Sequence, residues 1–306
     1  MKTLVIGTRA SKLALQQTHW VARRIGELAP EVSLEVRTIV THGDVDADTP
    51  LPALGGKGAF TQEIEAALLQ GRIQMAVHSL KDLPTELPAG LVIGATPERG
   101  DARDALISRE GRALAELPAG AVVGTSSLRR SAQLLALRPD LRIAPLRGNV
   151  DTRLRKLEEG MYDAIVLAVA GLARLGLAGR ITEHLAPEVM LPAPGQGALA
   201  VEARADDGET LALLAAALEH PATRAAVTAE RALLTALGGG CHLPIAAYGE
   251  VAPGTGVLRL RGLIAAADGR RSVRGEIGGP AADAARLGAA LAEELLGRGG
   301  REIMAQ

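Results

Sequence analysis

The sequence predicts an α/β protein of three domains, two α/β units followed by a smaller α+β domain. Three observations carry this expectation. Over the first two thirds of the 306 residues, short apolar runs alternate with helix-patterned segments, the mark of parallel or mixed sheets covered by helices. In the C-terminal part the pattern changes to strand runs separated by "APGTG" and "ADGR", which read as antiparallel hairpins. A chain of this length also exceeds what a single core ordinarily holds.

Along the chain, "TLVIG" is followed by a helix starting near Ser11, and "SLEVRTIV" comes next. "TQEIEAALLQG" is a helix leading into the strand "IQMAVHS", with "GLVIGAT" after it. A boundary falls near "TPERGDARD", residues 96 to 104. Beyond it "AVVGTS" leads into "LRRSAQLLALR", "LRIAPLRG" into "VDTRLRKLEEG", and "YDAIVLAV" into "AGLARLGL". A helical segment, "HPATRAAVTAERALLTAL", then opens the last domain. It is followed by the strands "PIAAYGEV", "VLRLRGLIAA" and "RSVRGEIGG" and by an amphipathic helix, "PAADAARLGAALAEELLGRG". The connection "HGDVDADTPLPALGGKGA", residues 42 to 59, is long enough to suggest a functional loop. It lacks the spacing of a nucleotide-binding P-loop.

Composition narrows the function classes. The 34 basic and 35 acidic residues nearly cancel, so no bulk field favours nucleic acid or an anionic membrane. Five of the bases are lysines (Lys2, Lys12, Lys57, Lys81, Lys156) and the rest are arginines, the residue suited to fork-like recognition of carboxylate or phosphate. No run has the length of a membrane span, and the start of the chain lacks the look of a signal peptide, so a soluble cytoplasmic protein is expected. A single cysteine excludes an intramolecular disulfide and a multi-thiolate metal site. His42, His78 and His242 show no metal-ligand spacing, and no metal is expected.

That cysteine, Cys241, stands in "LTALGGGCHLPIAAYG" behind three glycines. A lone cysteine is often a small buried hydrophobe, and Gly238 reads as a helix C′ residue of positive φ. One terminator accounts for one glycine, however, and the others allow close approach of backbone and ligand. The thiol therefore reads as exposed.

Arginines recur at strand-to-helix turns. "GTSSLRRSAQ" puts Ser126 or Ser127 at an N-cap with Arg129 and Arg130 in the first helical turn, the end where the dipole disfavours cations by some tenths of a kcal/mol each. A bound carboxylate or phosphate reverses that sign, the alternative being two solvated side chains. "GTRASK" supplies Arg9 and Ser11, "LRGNVDTRLRK" supplies Arg147 and Arg153, and "AVAGLARLG" supplies Arg174. Ligands of open α/β sheets collect at such strand ends, so the arginines predict a cleft for many carboxylates. "AVHSLKDLP" ends an apolar strand with His78, Ser79, Lys81 and Asp82. Asp82 is either a turn residue before Pro84 or, among arginines, a carboxylate that stabilises a substrate cation or moves a proton.

With these pieces assembled, the chain resembles the porphobilinogen deaminase (hydroxymethylbilane synthase) family over essentially its whole length. The segments are "TRASKLAL", "THGD", "GGKGAFTQEIEAALL", "AVHSLKDLP", "GTSSLRR", "LRGNVDTRL", "AIVLAVAGLARLGL", "LPAPGQGALAVE" and "GGGCHLP". The resemblance implies a transferase that joins four porphobilinogen molecules head to tail with release of ammonia, giving hydroxymethylbilane for tetrapyrrole (haem) biosynthesis. It implies a dipyrromethane cofactor in thioether linkage to Cys241, which makes the thiol a tether. Asp82 is the implied catalytic carboxylate. Lys81, Thr125, Ser127, Arg129, Arg130 and Arg153 are implied cofactor contacts, and Arg9, Ser11, Phe60, Arg147 and Arg174 implied substrate contacts.

The implied fold has two domains resembling the halves of bilobal periplasmic binding proteins, residues 1–98 with 197–217 and residues 99–196, plus a third domain over 218–306. The chain crosses twice between the first two, and "GQGALAVEARADD" is the return. Residues 42 to 59 are the implied lid, where Ala53 replaces a lysine frequent in relatives. Gly238 and His242 also stand where many relatives have Glu and Gln. A monomer that passes its product to uroporphyrinogen-III synthase is expected. Rival expectations are a solute-binding module of the same bilobal fold and an anion-regulated transcription effector domain. Neither gives a reason for a glycine-flanked thiol in an added domain.

Overall fold

The computed structural model describes residues 2–41, 61–238 and 243–305. The chain forms two compact units, Met1–Gly100 with Ala198–Arg224, and Asp101–Gly197 with Ala225–Gln306. Following the chain, the first unit opens with β1 (Lys2–Thr8), α1 (Lys12–Leu28), β2 (Val32–Thr38), α2 (Gln62–Leu69), β3 (Met75–Ser79) and β4 (Leu91–Ala95). The second unit continues with β5 (Asp104–Ser108), β6 (Val122–Gly124), α3 (Leu128–Leu137), β7 (Arg142–Ala144), α4 (Val150–Glu158), β8 (Ala164–Ala168), α5 (Val169–Arg174) and β9 (Glu183–Leu185). β10 (Leu199–Arg204) and α6 (Gly208–Leu218) belong to the first unit. α7 (Pro221–Ala236) straddles the return to the second, which ends with β11 (Ile245–Val251), β12 (Val257–Ala265), β13 (Ser272–Pro280) and α8 (Ala284–Leu295).

The first sheet has the order β2-β1-β3-β10-β4 and the second β7-β6-β8-β5-β9. These are one pattern. In each, the second strand of the order, β1 or β6, pairs in parallel with both its neighbours, and an antiparallel strand, β10 or β5, separates β3 from β4 and β8 from β9. The consequence matters for function. An antiparallel strand begins where its parallel neighbour ends, so Asp104 at the start of β5 faces Ala168 at the end of β8, and Leu199 faces Ser79. Both antiparallel strands thus bring their first residues to the strand ends at which ligands of α/β sheets collect.

The inner strands β3, β5 and β8 are buried almost throughout, so they read as nearly continuous apolar runs. In the first unit Leu4, Ile6, Met75, Val77 and Val201 pack on the side of α1 and α6, while Ala76 and Leu91 pack with Ile64 and Leu68 of α2. α1 starts at Ser11, whose side chain accepts a hydrogen bond from the Ala14 N–H, and it buries Ala14, Gln17, Thr18, Val21 and Ile25 at helical spacing. In the second unit Val123, Leu134 and Val166 fill one side of the sheet and Ile107, Leu154 and Ile165 the other.

β11, β12 and β13 form an antiparallel meander whose inner face packs on α7 and α8 through Leu233, Leu258, Leu260, Leu287 and Leu291. The mixed α/β sheets and the C-terminal α+β segment are the fold class the sequence predicts. Gly238 is the expected C′ glycine, with φ 85° and its N–H bonded to the Thr235 carbonyl at 2.9 Å. Gly269, in the "ADGR" turn, has φ 72°, and a Cβ there would lie 2.5 Å from the Ala132 carbonyl oxygen of α3. A second patch, Ala132, Leu191, Ala246, Leu263 and Ala265, joins α3 to the meander.

Candidate anion-binding and catalytic site

In the first unit the candidate residues stand after β1 and β3. Arg9 is half-buried, and Ser11 is committed to capping α1 at 3.3 Å from the Ala14 nitrogen. β3 ends in a single 3-10 turn over Leu80–Asp82. Leu80 and Leu83 are buried and anchor it, with the Leu80 N–H donating to the Ala198 carbonyl at 3.1 Å and the Leu83 N–H to the Leu80 carbonyl at 3.1 Å. Between them Lys81 is half-buried and Asp82 is exposed. Alternation of anchored and outward residues explains why "SLKDLP" presents its charges and hides its leucines.

Two contacts brace that turn. The Gln17 Nε2 donates to Ser79 Oγ at 2.9 Å, which ties the end of β3 to α1. His78 lies 3.1 Å from Glu202 across the β3–β10 pairing. Glu65 of α2 is buried as well. Desolvation, with the nearby Glu202 and Glu63 carboxylates adding to it, holds its carboxyl above the ordinary 4.5, against a lowering hydrogen bond from Thr61 and the pull of His78.

In the second unit Thr125, buried after β6, accepts a hydrogen bond from the Ser127 N–H at 3.2 Å. Ser127 is the N-cap of α3, its Oγ accepting from the Arg130 N–H at 3.4 Å. Ser126 instead binds both the N–H and the carbonyl of Leu146, each at 3.0 Å, and so fixes the segment that carries Arg147. Arg153, in the first turn of α4, donates through Nε to the Gly148 carbonyl at 2.7 Å. Arg174, at the end of α5, donates to the Gly197 carbonyl at 2.6 Å, and burial pushes its guanidinium down to about 10.

Arg129 and Arg130 are neither solvated nor displayed on a helix surface. They are 5% and 6% exposed and close on Asp104, which is fully buried. Arg129 Nη1 donates to Asp104 Oδ2 at 2.7 Å, and Arg130 donates to Oδ1 through Nε at 3.0 Å and Nη2 at 2.7 Å. Gln196 Nε2 donates to the same Oδ1 at 3.0 Å and to the Ala102 carbonyl at 2.7 Å. Asp104 is held far below the usual carboxylate range by the two guanidiniums, which outweigh the opposing effect of burial. Sequence reading missed Asp104 and Gln196. The available signal was a pair of cations at the wrong helix end together with one aspartate heading an apolar strand.

Phe60, Cys241, Ala53, His42 and His242 lie outside the described residues. Among the described residues, no group of three His, Cys, Asp or Glu side chains is placed to hold a metal ion, and no helix is long and apolar enough to cross a membrane.

Residues 4–212 match the family described as "Porphobilinogen deaminase, dipyromethane cofactor binding domain", and residues 224–297 match "Porphobilinogen deaminase, C-terminal domain". The chain belongs to the porphobilinogen deaminase family. It is 56% identical over 304 residues to the porphobilinogen deaminase of Roseiflexus sp. (strain RS-1), covering 99% of each chain. It is 52% identical over 301 residues to that of Brevibacillus brevis (strain 47 / JCM 6285 / NBRC 100599), covering 98% of this chain and 96% of the other. Among solved structures it is similar to a YaeC-family lipoprotein from Enterococcus faecalis V583, with 14% identity, a TM-score of 0.44, and coverage of 72% of this chain and 92% of that one. A Salmonella typhimurium periplasmic binding protein gives 13% identity, a TM-score of 0.41, and coverage of 71% and 92%.

The porphobilinogen deaminase family is an enzyme family of transferases with a dipyrromethane cofactor binding domain. The donor set of the second unit fits a polycarboxylate group of that kind. Two buried guanidiniums share one carboxylate, and a third, Arg174, has a carbonyl as its partner.

Proposed function

We propose that this chain is a hydroxymethylbilane synthase. It joins four porphobilinogen molecules head to tail, releases one ammonia at each addition, and finally frees hydroxymethylbilane by hydrolysis. The observation that carries the reading is the cluster of Arg129, Arg130 and Asp104, a buried site with one positive charge in excess. Every porphobilinogen unit brings an acetate and a propionate, and such acids are what a surplus of oriented guanidinium donors recognises.

In this reading Cys241 carries the dipyrromethane through a thioether. When bound, that group supplies the free pyrrole α-carbon on which the product grows. Lys81, Thr125, Ser127, Arg129, Arg130 and Arg153 hold its acid side chains, while Arg9, Ser11, Arg147 and Arg174, with Phe60 near the ring, hold substrate. Asp82, exposed on an anchored turn, accepts hydrogen bonds from pyrrole N–H groups. Its carboxylate offsets the positive charge that develops as ammonia leaves porphobilinogen, and it takes up and returns the proton that moves with each addition.

The division into 1–98 with 197–217, 99–196, and 218–306 remains our reading of the domains. It is supported by separate apolar cores in the two α/β sheets and in the C-terminal meander. We further read the enzyme as a cytoplasmic monomer whose product passes to uroporphyrinogen-III synthase, in keeping with its balanced charge. The decisive experiment is mass spectrometry of the denatured, active chain. The expected mass exceeds that of the bare polypeptide by a two-ring adduct, located on the peptide containing Cys241. A bare polypeptide that still turns over porphobilinogen overturns the reading.

A further inference from the structure

The Arg129–Asp104–Arg130 cluster is built asymmetrically. Among the described residues Asp104 is the one carboxylate that pairs with the two guanidiniums, and all three groups are withdrawn from water. α3 adds to the imbalance, because both arginines sit in its first turn, where the helix dipole is positive. A second acid would neutralise the site. In its place stands Gln196, a neutral amide that donates to Asp104 rather than balancing the arginines.

The geometry is that of a bracket. Asp104 gives Oδ2 to Arg129 and Oδ1 to Arg130, so the two forks are held apart on separate oxygens. The Leu191 carbonyl takes a further Arg129 N–H at 2.8 Å, and the Val166 carbonyl takes a further Arg130 N–H at 3.0 Å. A guanidinium has five N–H donors. Arg129 therefore commits two to protein oxygens and Arg130 three, and donors remain on each for a ligand. The bracket itself is braced, since Gln196 links Asp104 to the Ala102 carbonyl while Gln133 holds Leu191 through the 2.8 Å bond from its N–H.

We infer that Asp104, braced by Gln196, is the positioning residue of this anion site: it orders both guanidiniums before a ligand arrives and leaves one of their two charges to be met by a ligand carboxylate. Long arginine side chains lose much rotamer freedom on binding, and a resident carboxylate that has already ordered them removes that cost from the binding step. Two resident carboxylates would order the forks equally well but leave no charge to attract an acid. The inference rests on the functional reading above for the identity of the ligand, though not for the charge arrangement.

The test uses the full chain with Asp104→Asn and Asp104→Ala. The readouts are melting temperature and the fraction of chains carrying the two-ring adduct after incubation with porphobilinogen. Asp104→Asn is expected to load at least fivefold fewer chains than the parent. Asp104→Ala leaves room for a small carboxylate, so sodium formate is expected to raise its melting temperature and its loaded fraction together. Sodium chloride at equal ionic strength raises neither, and the parent responds to neither salt.

Loading of both variants at the parental level overturns the inference. A formate response confined to melting temperature also overturns it, because Asp104 is then a structural counter-ion alone. An Asp104→Ala chain that stays unfolded in formate, or folds and ignores it, does the same. Should the parent itself carry no adduct, the functional reading fails separately. The positioning role is then decided by citrate, a soluble polycarboxylate, which at equal ionic strength is expected to raise the melting temperature of the parent more than that of Asp104→Asn, and equal shifts or none in either overturn it.

Discussion

His78 and Glu202 meet at 3.1 Å across the antiparallel β3–β10 pairing, four residues upstream of Asp82 and closed off from solvent. Glu65 of α2 lies within electrostatic reach of both, so the cluster behind the candidate catalytic turn holds two buried carboxyl groups and one imidazole. Such a cluster survives in an apolar surrounding only if charge is paired or neutralised by a proton.

Glu65 is the member that burial pushes toward the protonated form. A carboxyl whose folded pKa lies above its unfolded value of 4.5 binds more protons in the folded state. Its contribution to stability is fully present below that value and is lost as the pH rises through the folded pKa. Glu65→Gln mimics the protonated acid and removes this loss. Urea unfolding of parent and variant at pH 5 and pH 8 is expected to show a smaller fall in stability with rising pH for Glu65→Gln. An identical fall in both would mean that Glu65 is ionised in the fold.

Asp82 is exposed while its neighbours Leu80 and Leu83 anchor the turn, so its carboxylate can be neutralised without disturbing the packing. Asp82→Asn is therefore expected to melt within a degree or two of the parent and to keep the two-ring adduct. Its turnover of porphobilinogen should fall by roughly a hundredfold or more, the usual scale for loss of a positioned acid or base. Stopped-time assays of hydroxymethylbilane formation provide the measurement, and parental rates would remove Asp82 from the mechanism.

Ser126 is the one hydroxyl of "GTSSLRR" that reaches across to the Arg147 segment, through two hydrogen bonds to Leu146. Leu146 is itself fully buried, so Ser126→Ala strands a backbone N–H and a carbonyl beside the core. The expected loss is about 1–3 kcal/mol of folding stability by urea unfolding. Ser131→Ala removes only a bond to the Ser127 carbonyl, an oxygen that also accepts the Ser131 N–H within the helix, and should cost about 1 kcal/mol or less. Equal losses in the two variants would show that Ser126 is not the cross-link.

The fold was legible where periodicity and punctuation agree. Ser11 before an amphipathic stripe, the Ser127 cap and the glycine turns of the meander all specify their elements locally. β5 and β9 were not legible. β5 is a five-residue run buried throughout, with no alternation and no helix pattern following it, because an inserted antiparallel strand is defined by partners far away in the chain. α6 escaped for a related reason, since "LALLAAAL" is apolar almost all round and shows no stripe. The site was legible as residue types, as arginines at strand ends and one carboxylate after β3. What Arg129 and Arg130 hold is a long-range matter, as Asp104 and Gln196 lie 25 and 67 residues from Arg129 in sequence.

Gly269 and Gly254 separate two costs that a glycine can conceal. Both have φ of 72°, a conformation that disfavours any side chain. Gly254 has open space around it, so Gly254→Ala should cost only the left-handed strain of about 1–2 kcal/mol. At Gly269 the added Cβ would lie 2.5 Å from the Ala132 carbonyl oxygen and 2.7 Å from the Ala136 nitrogen, both backbone atoms of α3. Neither can yield without moving the helix that carries Arg129 and Arg130, so Gly269→Ala should cost roughly 3 kcal/mol or more once overpacking is added. Urea unfolding of the two variants side by side tests the difference, and adduct loading tests its consequence. The Gly269 variant should load fewer chains where the Gly254 variant loads like the parent. Equal stability losses would mean that the meander does not rest on α3.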